Sequence, residues 1–517
     1  MLRLKKCLCS LIMLFAVLLS LSSCLIVVNK PEDTTAVPSD TGIPADDTTV
    51  PAVTGDAPTD EKISRNEMAA HRLEAMLDYN MDGKTMILVT TDSNVPLPVG
   101  STRILDKTRW EVLNSVSEKY GAELVVTRES RSNMISKFLA SSTAGLYYAD
   151  ILCAQSAEMG SLFAERLVTD LSVLPFLDLD AEYYYQMASE SVTVDGMIYG
   201  AAGEACVDYD VFACLVVNDE ALKAIGADVY AEVDNGSWTY DKLLEYVRLY
   251  EYTAEGEYRG NSALSAVCDR SLAVEYFFEA MGTRYVYSEN GKMKLYTPEG
   301  DASDAVVAIR AICYSGNWGY KLTDDEKLEY LEQGYEDTDE ITQLELLMGG
   351  KGLFCVGTLN DLARIYVSKT PLIPIPMPKL NGEQGSYMTP TAGEACFFFI
   401  PADGANITES AILIEALNAR SHGAVREAYL TNVLHYYARN EKTLNMLDII
   451  MERPYFDLAV NFGGRYGALR QVAQSSVLFA AEYDYNLSTV YGAAYYMAQD
   501  TLDEISGYAS KEPDTTE

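Results

Sequence analysis

Several things are scarce in this 517-residue chain. It has three His and three Trp. His71, His422 and His435 are not interleaved with cysteines, and no Cys-x-x-Cys pair occurs. A zinc site, or any other metal site built on that spacing, is therefore not expected. Positive charge is also short: 39 Lys and Arg stand against 76 Asp and Glu, for a net charge of −37. Such a surface repels phosphate backbones and anionic headgroups, so neither a nucleic acid nor charge-driven docking of the folded body on lipid is expected. No phosphate-binding loop, dinucleotide glycine fingerprint or Gly-x-Ser-x-Gly elbow is present. With 76 acids, any pair of carboxylates could be nominated for glycoside cleavage, so that signal carries no weight. No cofactor and no enzymatic activity are expected.

What is present is an ordinary globular composition, 48% hydrophobic and 22% charged, at a length that calls for two or three core units. Tyr dominates the aromatics, with 36 against 14 Phe. Its apolar ring and polar tip suit half-polar ligands such as sugars, and serve equally as walls between helices.

The N-terminus sets the compartment. Arg3, Lys5 and Lys6 precede an apolar run from Leu8 to Leu21, and Leu21-Ser22-Ser23-Cys24 follows. This is the plan of a secretory signal. Its last four residues resemble the bacterial lipobox, which implies cleavage before Cys24 and a lipid on the Cys24 thiol. The alternative is an uncleaved anchor, since Cys7 to Val28 is long enough to span a bilayer. Residues 1–23 then form the signal peptide and 24–60 the anchor and tether. Within the tether, Asn29 to Asp60 holds five Pro, seven Thr and seven acids and no aromatic residue. It cannot bury a core, and as a flexible chain it would reach roughly 30 Å. Seven cysteines remain beyond it (153, 206, 214, 268, 313, 355 and 396), an odd number that leaves at least one thiol free unless chains cross-link.

From residue 61 strand and helix alternate. Lys84 to Thr90 (KTMILVT), Ala122 to Thr127 (AELVVT) and Asp150 to Ala154 (DILCA) read as buried strands. Helices are expected over 61–79, 103–120, 132–142 and 158–166, with Trp110 in the apolar stripe of the second. This order predicts a parallel sheet covered by helices, with ligands at the carboxyl ends of its strands. Further on, strands are expected over Met197 to Ala202 and Val211 to Val217. Thr239 is expected to cap a helix over Tyr240 to Tyr250, and Trp238 before it reads as a core staple. Glu289-Asn290-Gly291-Lys292 reads as a hairpin turn. Pro371 to Pro378, with four prolines in eight residues, reads as an extended crossing segment. Ala395 to Ile400 (ACFFFI) reads as a strand and the rest as largely helical. Ala202-Gly203-Glu204-Ala205-Cys206 recurs as Ala392-Gly393-Glu394-Ala395-Cys396, either by chance or because two crossover strands lie side by side.

Five stretches together resemble the extracellular solute-binding proteins of bacterial ABC importers, in the carbohydrate class that includes maltose-binding protein. They are Asp150 to Leu171, Leu215 to Leu222 (LVVNDEAL), Gly236 to Leu244 (GSWTYDKLL), Gly350 to Val356, and Ile373 to Pro376 with Gly393 to Ile400. The resemblance implies an α/β, two-lobed periplasmic-binding-protein-like fold with an interlobe cleft and crossing hinge strands. It places lobe one at 61–210 and 391–420, lobe two at 211–390 and 421–509, and a tail at 510–517. It implies a monomer that captures a sugar without chemistry and offers it to the membrane subunits of a permease. A peptide, polyamine or organic acid is the alternative ligand, and a surface glycan-active enzyme the remote one. By the family's cleft positions, contacts fall on Asp92, Gln155, Glu158, Glu204, Tyr209, Asp269, Arg270, Asn360 and Asp361. Glu204 also lies among small residues that a ligand could approach. Trp318, in Gly316-Asn317-Trp318-Gly319, is left open between core and cleft. Cys206 and Cys396 would fall in the hinge, either as a disulfide or as two free thiols.

Overall fold

The computed structural model describes residues 64–91, 104–289, 292–314, 318–334, 337–338, 341–391, 393, 395–436, 441–462 and 467–509. The signal, Cys24, the tether and Asp92 lie outside these residues.

Two four-stranded sheets organise the chain. β1 (Thr85–Thr91), β2 (Glu123–Glu129) and β3 (Ile151–Gln155) run parallel, with Leu88 opposite both Val126 and Ile151. β1 is a β-branched, apolar run because it is covered on both faces, whereas β2 alternates exposure as an edge strand does. Two short hairpins lie outside the main sheets. One is β4 (Thr193–Val194) with β5 (Met197–Ile198). The other is β8 (Val286–Glu289) with β9 (Lys292–Leu295), whose expected Asn290-Gly291 turn lies outside the described residues. The second sheet holds β6 (Ala213–Asn218), β7 (Leu264–Ala266), β10 (Phe354–Thr358) and β11 (Leu372–Ile375), in the order β11-β6-β10-β7. Here β6 is antiparallel to both β10 and β11, while β7 runs parallel to β10. β12 (Cys396–Phe399) then returns to the first sheet, antiparallel to β3, giving the order β12-β3-β1-β2.

Four expectations need correction. Trp110 is 38% exposed. The buried stripe of the Ile104–Tyr120 helix runs through Leu105, Arg109, Val112, Val116 and Tyr120, about 100° round from Trp110. Thr239 precedes the Tyr240–Glu251 helix but its side chain makes no cap hydrogen bond. The strand expected over 197–202 is confined to Met197–Ile198, with Ala201 alone bridging to Phe398. Finally, the proline-rich segment is extended but does not cross. It forms β11, an edge strand with Pro374 opposite Val216, where a missing N–H disturbs no interior ladder.

One hydrophobic cluster draws on elements around both sheets. Leu105, Tyr209, Phe212, Cys214, Leu359, Tyr429 and Ile450 belong to it, so it joins side chains from both sheets' surroundings. The Ala424–Tyr436 helix, from the stretch expected in lobe two, contributes Tyr429 and Val433 to this cluster and also packs on the Arg65–Ala75 and Ile104–Tyr120 helices.

Segments far apart in the sequence also meet along a seam. Arg284 pairs with Glu190 at 2.7 Å, Asn461 Nδ2 donates to Ser191 Oγ at 2.5 Å, and the Phe456 N–H donates to Met187 Sδ at 3.3 Å. Gly160 lies against this seam, where a Cβ would fall 2.8 Å from the Phe462 carbonyl oxygen, so no larger residue fits.

Candidate functional site: the facing strand ends

The crossing segments fix where the two sheets face each other. β12 begins at Cys396, opposite Gln155, the last residue of β3. β6 begins at Ala213, opposite Thr358, the last residue of β10. Both crossing strands therefore enter at the carboxyl ends of the parallel strands. Those ends converge on the hinge, where the Ala213 N–H donates to the Pro390 carbonyl at 2.9 Å. A cleft between open α/β layers forms at such ends.

The echoed segments meet at their cysteines: Cys206 Sγ donates to the Cys396 carbonyl at 3.2 Å, and neither these two nor the other five cysteines from Cys153 onward form a disulfide. Ala202 to Cys206 is a turn and not the crossover strand expected, while Ala392 and Glu394 lie outside the described residues. Burial raises the Cys206 thiol pKa, so it behaves as a small apolar group.

The expected contact residues divide into three groups. Gln155 ends β3 and is 6% exposed. Glu158 follows on the Ser156–Glu158 turn, and its carboxylate accepts from Arg131 Nε at 2.5 Å. Asp269 and Arg270 follow β7, and Asn360 and Asp361 follow β10. Because Val356 pairs with Ala266, these four stand on one edge of the second sheet. Asn360 and Asp269 are exposed, and Asp269 caps the Arg270–Ala280 helix by accepting from the Leu272 N–H at 3.0 Å. Asp361 is buried and accepts from the Thr358 N–H at 3.1 Å. Glu204 and Tyr209 form the third group, and both turn away from the strand ends. Glu204 accepts from the N–H groups of Gly423 and Arg426 at 2.9 and 3.1 Å, closing the start of the Ala424–Tyr436 helix. Burial raises its pKa, and those two N–H groups offset part of the effect. Tyr209 packs edge-on against Phe212 at 5.3 Å and against Tyr429 at 5.1 Å.

Beside the second group lies a feature only half legible in the sequence. The Arg270 guanidinium sits over the rings of Tyr314 at 5.2 Å and Trp318 at 5.8 Å. These three line an open cavity of about 530 Å³, with Ser271, Gln343 and Glu482. Asp269 and Glu482, which also line the cavity, supply acceptors beside the guanidinium. Tyr314 had no sequence signal, since it ends a helix pattern like any wall residue. Trp238 is a core residue, with its indole N–H donated to the Pro376 carbonyl at 2.9 Å.

No protein-family model matches the chain, and no curated protein matches it by sequence. Solved structures do match by shape. The sugar-binding protein of Xanthomonas citri aligns at 10% identity over 83% of this chain and 100% of its own, with a TM-score of 0.53. The maltose-binding periplasmic protein of Listeria monocytogenes, in complex with maltose, aligns at 12% identity over 82% and 99%, with a TM-score of 0.52. A cyclo/maltodextrin-binding protein complexed with maltotetraose aligns at 13% identity over 82% and 99%, also at 0.52. The fold is therefore the two-lobed α/β fold of periplasmic binding proteins, as these carbohydrate-binding relatives in shape have it.

Proposed function

We propose that this chain is the lipid-anchored, extracytoplasmic substrate-binding component of an ABC importer. In this reading it captures a sugar or oligosaccharide between its lobes and hands it to a membrane permease. The observation that carries the reading is the pairing of two sheets by their carboxyl ends, with Arg270, Tyr314 and Trp318 lining an open cavity on one of them. Aromatic rings offer flat apolar faces to sugar rings. The guanidinium N–H groups and the Glu482 carboxylate give hydroxyls a donor and an acceptor. Lobe closure would remove water and strengthen those hydrogen bonds. Sugar-bound structures of the same fold support the ligand class.

A thermal-shift screen of the detergent-solubilised chain against mono- and oligosaccharides tests this. A ligand at one hundred times its Kd should stabilise the fold by about 2.7 kcal/mol. Arg270→Ala should weaken the best ligand about tenfold, the loss of one charge-assisted hydrogen bond, without lowering the melting temperature of the free chain. A screen in which no carbohydrate raises the melting temperature, while a peptide, polyamine or organic acid does, would replace the sugar reading with another solute.

A further inference from the structure

The Arg270–Ala280 helix turns two carboxylates inward one turn apart. Glu275 and Glu279 are each 1% exposed. Glu275 is fully engaged: Arg470 Nη2 and Gln474 Nε2 each donate to it at 2.6 Å. Glu279 is held far less well: neither of its oxygens accepts a hydrogen bond of ordinary geometry, and only the Thr391 N–H approaches it. A third carboxylate, Asp457, is also 1% exposed and accepts from the Tyr285 N–H at 2.7 Å, the Ala459 N–H at 2.8 Å and the Tyr455 hydroxyl at 3.0 Å. Glu279 is thus faced by Glu275 and Tyr276 on its own helix, Tyr285 just before β8, Arg470 on the Gly467–Glu482 helix, Tyr455 and Asp457 before the Leu458–Asn461 helix, and the Thr391 N–H of the crossing segment. Among these groups there are three carboxylates and one guanidinium, and that guanidinium is bonded to Glu275. An ionised Glu279 here would be a buried charge sharing its one guanidinium with Glu275, which is more costly than a buried neutral acid.

The position of the cluster gives this a consequence. Asp457 ties the start of β8 at Tyr285 and Val286 to the Leu458–Asn461 helix, and both flank the seam contacts of Arg284, Phe456 and Asn461 with the Gln186–Ser191 helix. We propose that Glu279 holds a proton at neutral pH and serves as a pH-sensitive latch. On ionisation, its repulsion with Glu275 and Asp457 loosens the 284–286 and 454–462 segments from the Gln186–Ser191 helix.

Burial pushes the Glu279 carboxyl well above the ordinary range, with the charge of Glu275 adding to the effect. Burial also lifts Asp457 to about 6, against four hydrogen bonds that favour its anion. A carboxyl raised in the folded state contributes stability that is complete below its unfolded pKa and is lost as pH rises through the folded one. The latch therefore opens on the alkaline side.

Hydrogen exchange of the full chain in detergent, corrected for the intrinsic rate, tests the latch between about pH 6 and about pH 9. Peptides covering 186–191 and 454–462 should lose protection at the higher pH in the native protein and keep it in Glu279→Gln. The variant should also melt several degrees above the native protein at the higher pH. Equal loss of protection in both proteins would overturn the latch. If Glu279→Gln does not fold, infrared spectroscopy of the native protein decides. The carbonyl stretch of a protonated carboxylic acid must be present at neutral pH and fade on alkalinisation, and its absence at neutral pH would refute the proposal. Neither readout requires a sugar, so the latch and the ligand class fail separately.

Discussion

Glu204 shows how a side chain's role is decided by what it meets. Its neighbours in sequence are small, which opens space for a ligand, and that space is taken by the start of another helix. Two N–H groups and the His422 ring, whose Nδ1 lies 3.6 Å away, surround the carboxylate. Glu204→Ala would strand those N–H groups in a buried site, and should cost about 1–3 kcal/mol in a urea titration. Glu204→Gln, which keeps an acceptor oxygen, should recover most of it. Much of the candidate site was illegible for the same reason. The family's cleft positions pointed to Gln155, Arg270 and Asn360, and of these Gln155 also ends a strand of the parallel sheet read from the sequence. Whether a given residue at such a position faces the cleft or caps a neighbouring backbone depends on helices that arrive more than two hundred residues later, as Gly423 does for Glu204. Asp269 and Asp361 likewise accept from their own turns.

Elements were legible in proportion to their length and periodicity. KTMILVT and ACFFFI yield strands because their runs are long and flanked by polar residues. Leu264–Ala266 is three residues and Gln186–Ser191 six, too short for either period to register, and only the surrounding packing makes them regular. The Ile104–Tyr120 helix was found while its inward face was misread, because Trp110 and Leu113 also fit a spacing near 3.6 and buried Arg109 does not look like a core residue. Arg109 reaches out of that helix to donate to the Val207 carbonyl at 2.9 Å. Trp238 marks the element boundary that matters most to the second sheet. It is fully buried against Phe354 of β10 and Tyr246, and it donates to the chain just beyond β11. Trp238→Ala removes ring, packing and hydrogen bond together. It should cost about 3–5 kcal/mol by chemical denaturation, without needing any ligand to show it.

At the scale of the molecule, charge and anchoring act together. With a net charge of −37, the chain is repelled by anionic lipid. Among the described residues, no helix is long and apolar enough to cross a membrane. Attachment in the proposed reading therefore rests on Cys24. Cys24→Ala should release the chain from cells into the medium, and added salt should not restore binding. Retention of Cys24→Ala at the membrane, seen by fractionation, would point instead to the apolar run before it as an uncleaved anchor.

The return of β12 to the first sheet has a consequence for how the chain is made. A ribosome working from the N-terminus completes β1, β2 and β3 within the first third of synthesis, yet the strand that covers the open side of β3 comes from Cys396–Phe399, after every strand of the second sheet. Until then the all-buried strand Ile151–Gln155 presents bare amide and carbonyl groups along one margin. A message truncated anywhere before codon 396 thus yields an unfinished half with a sticky border, not a smaller working protein.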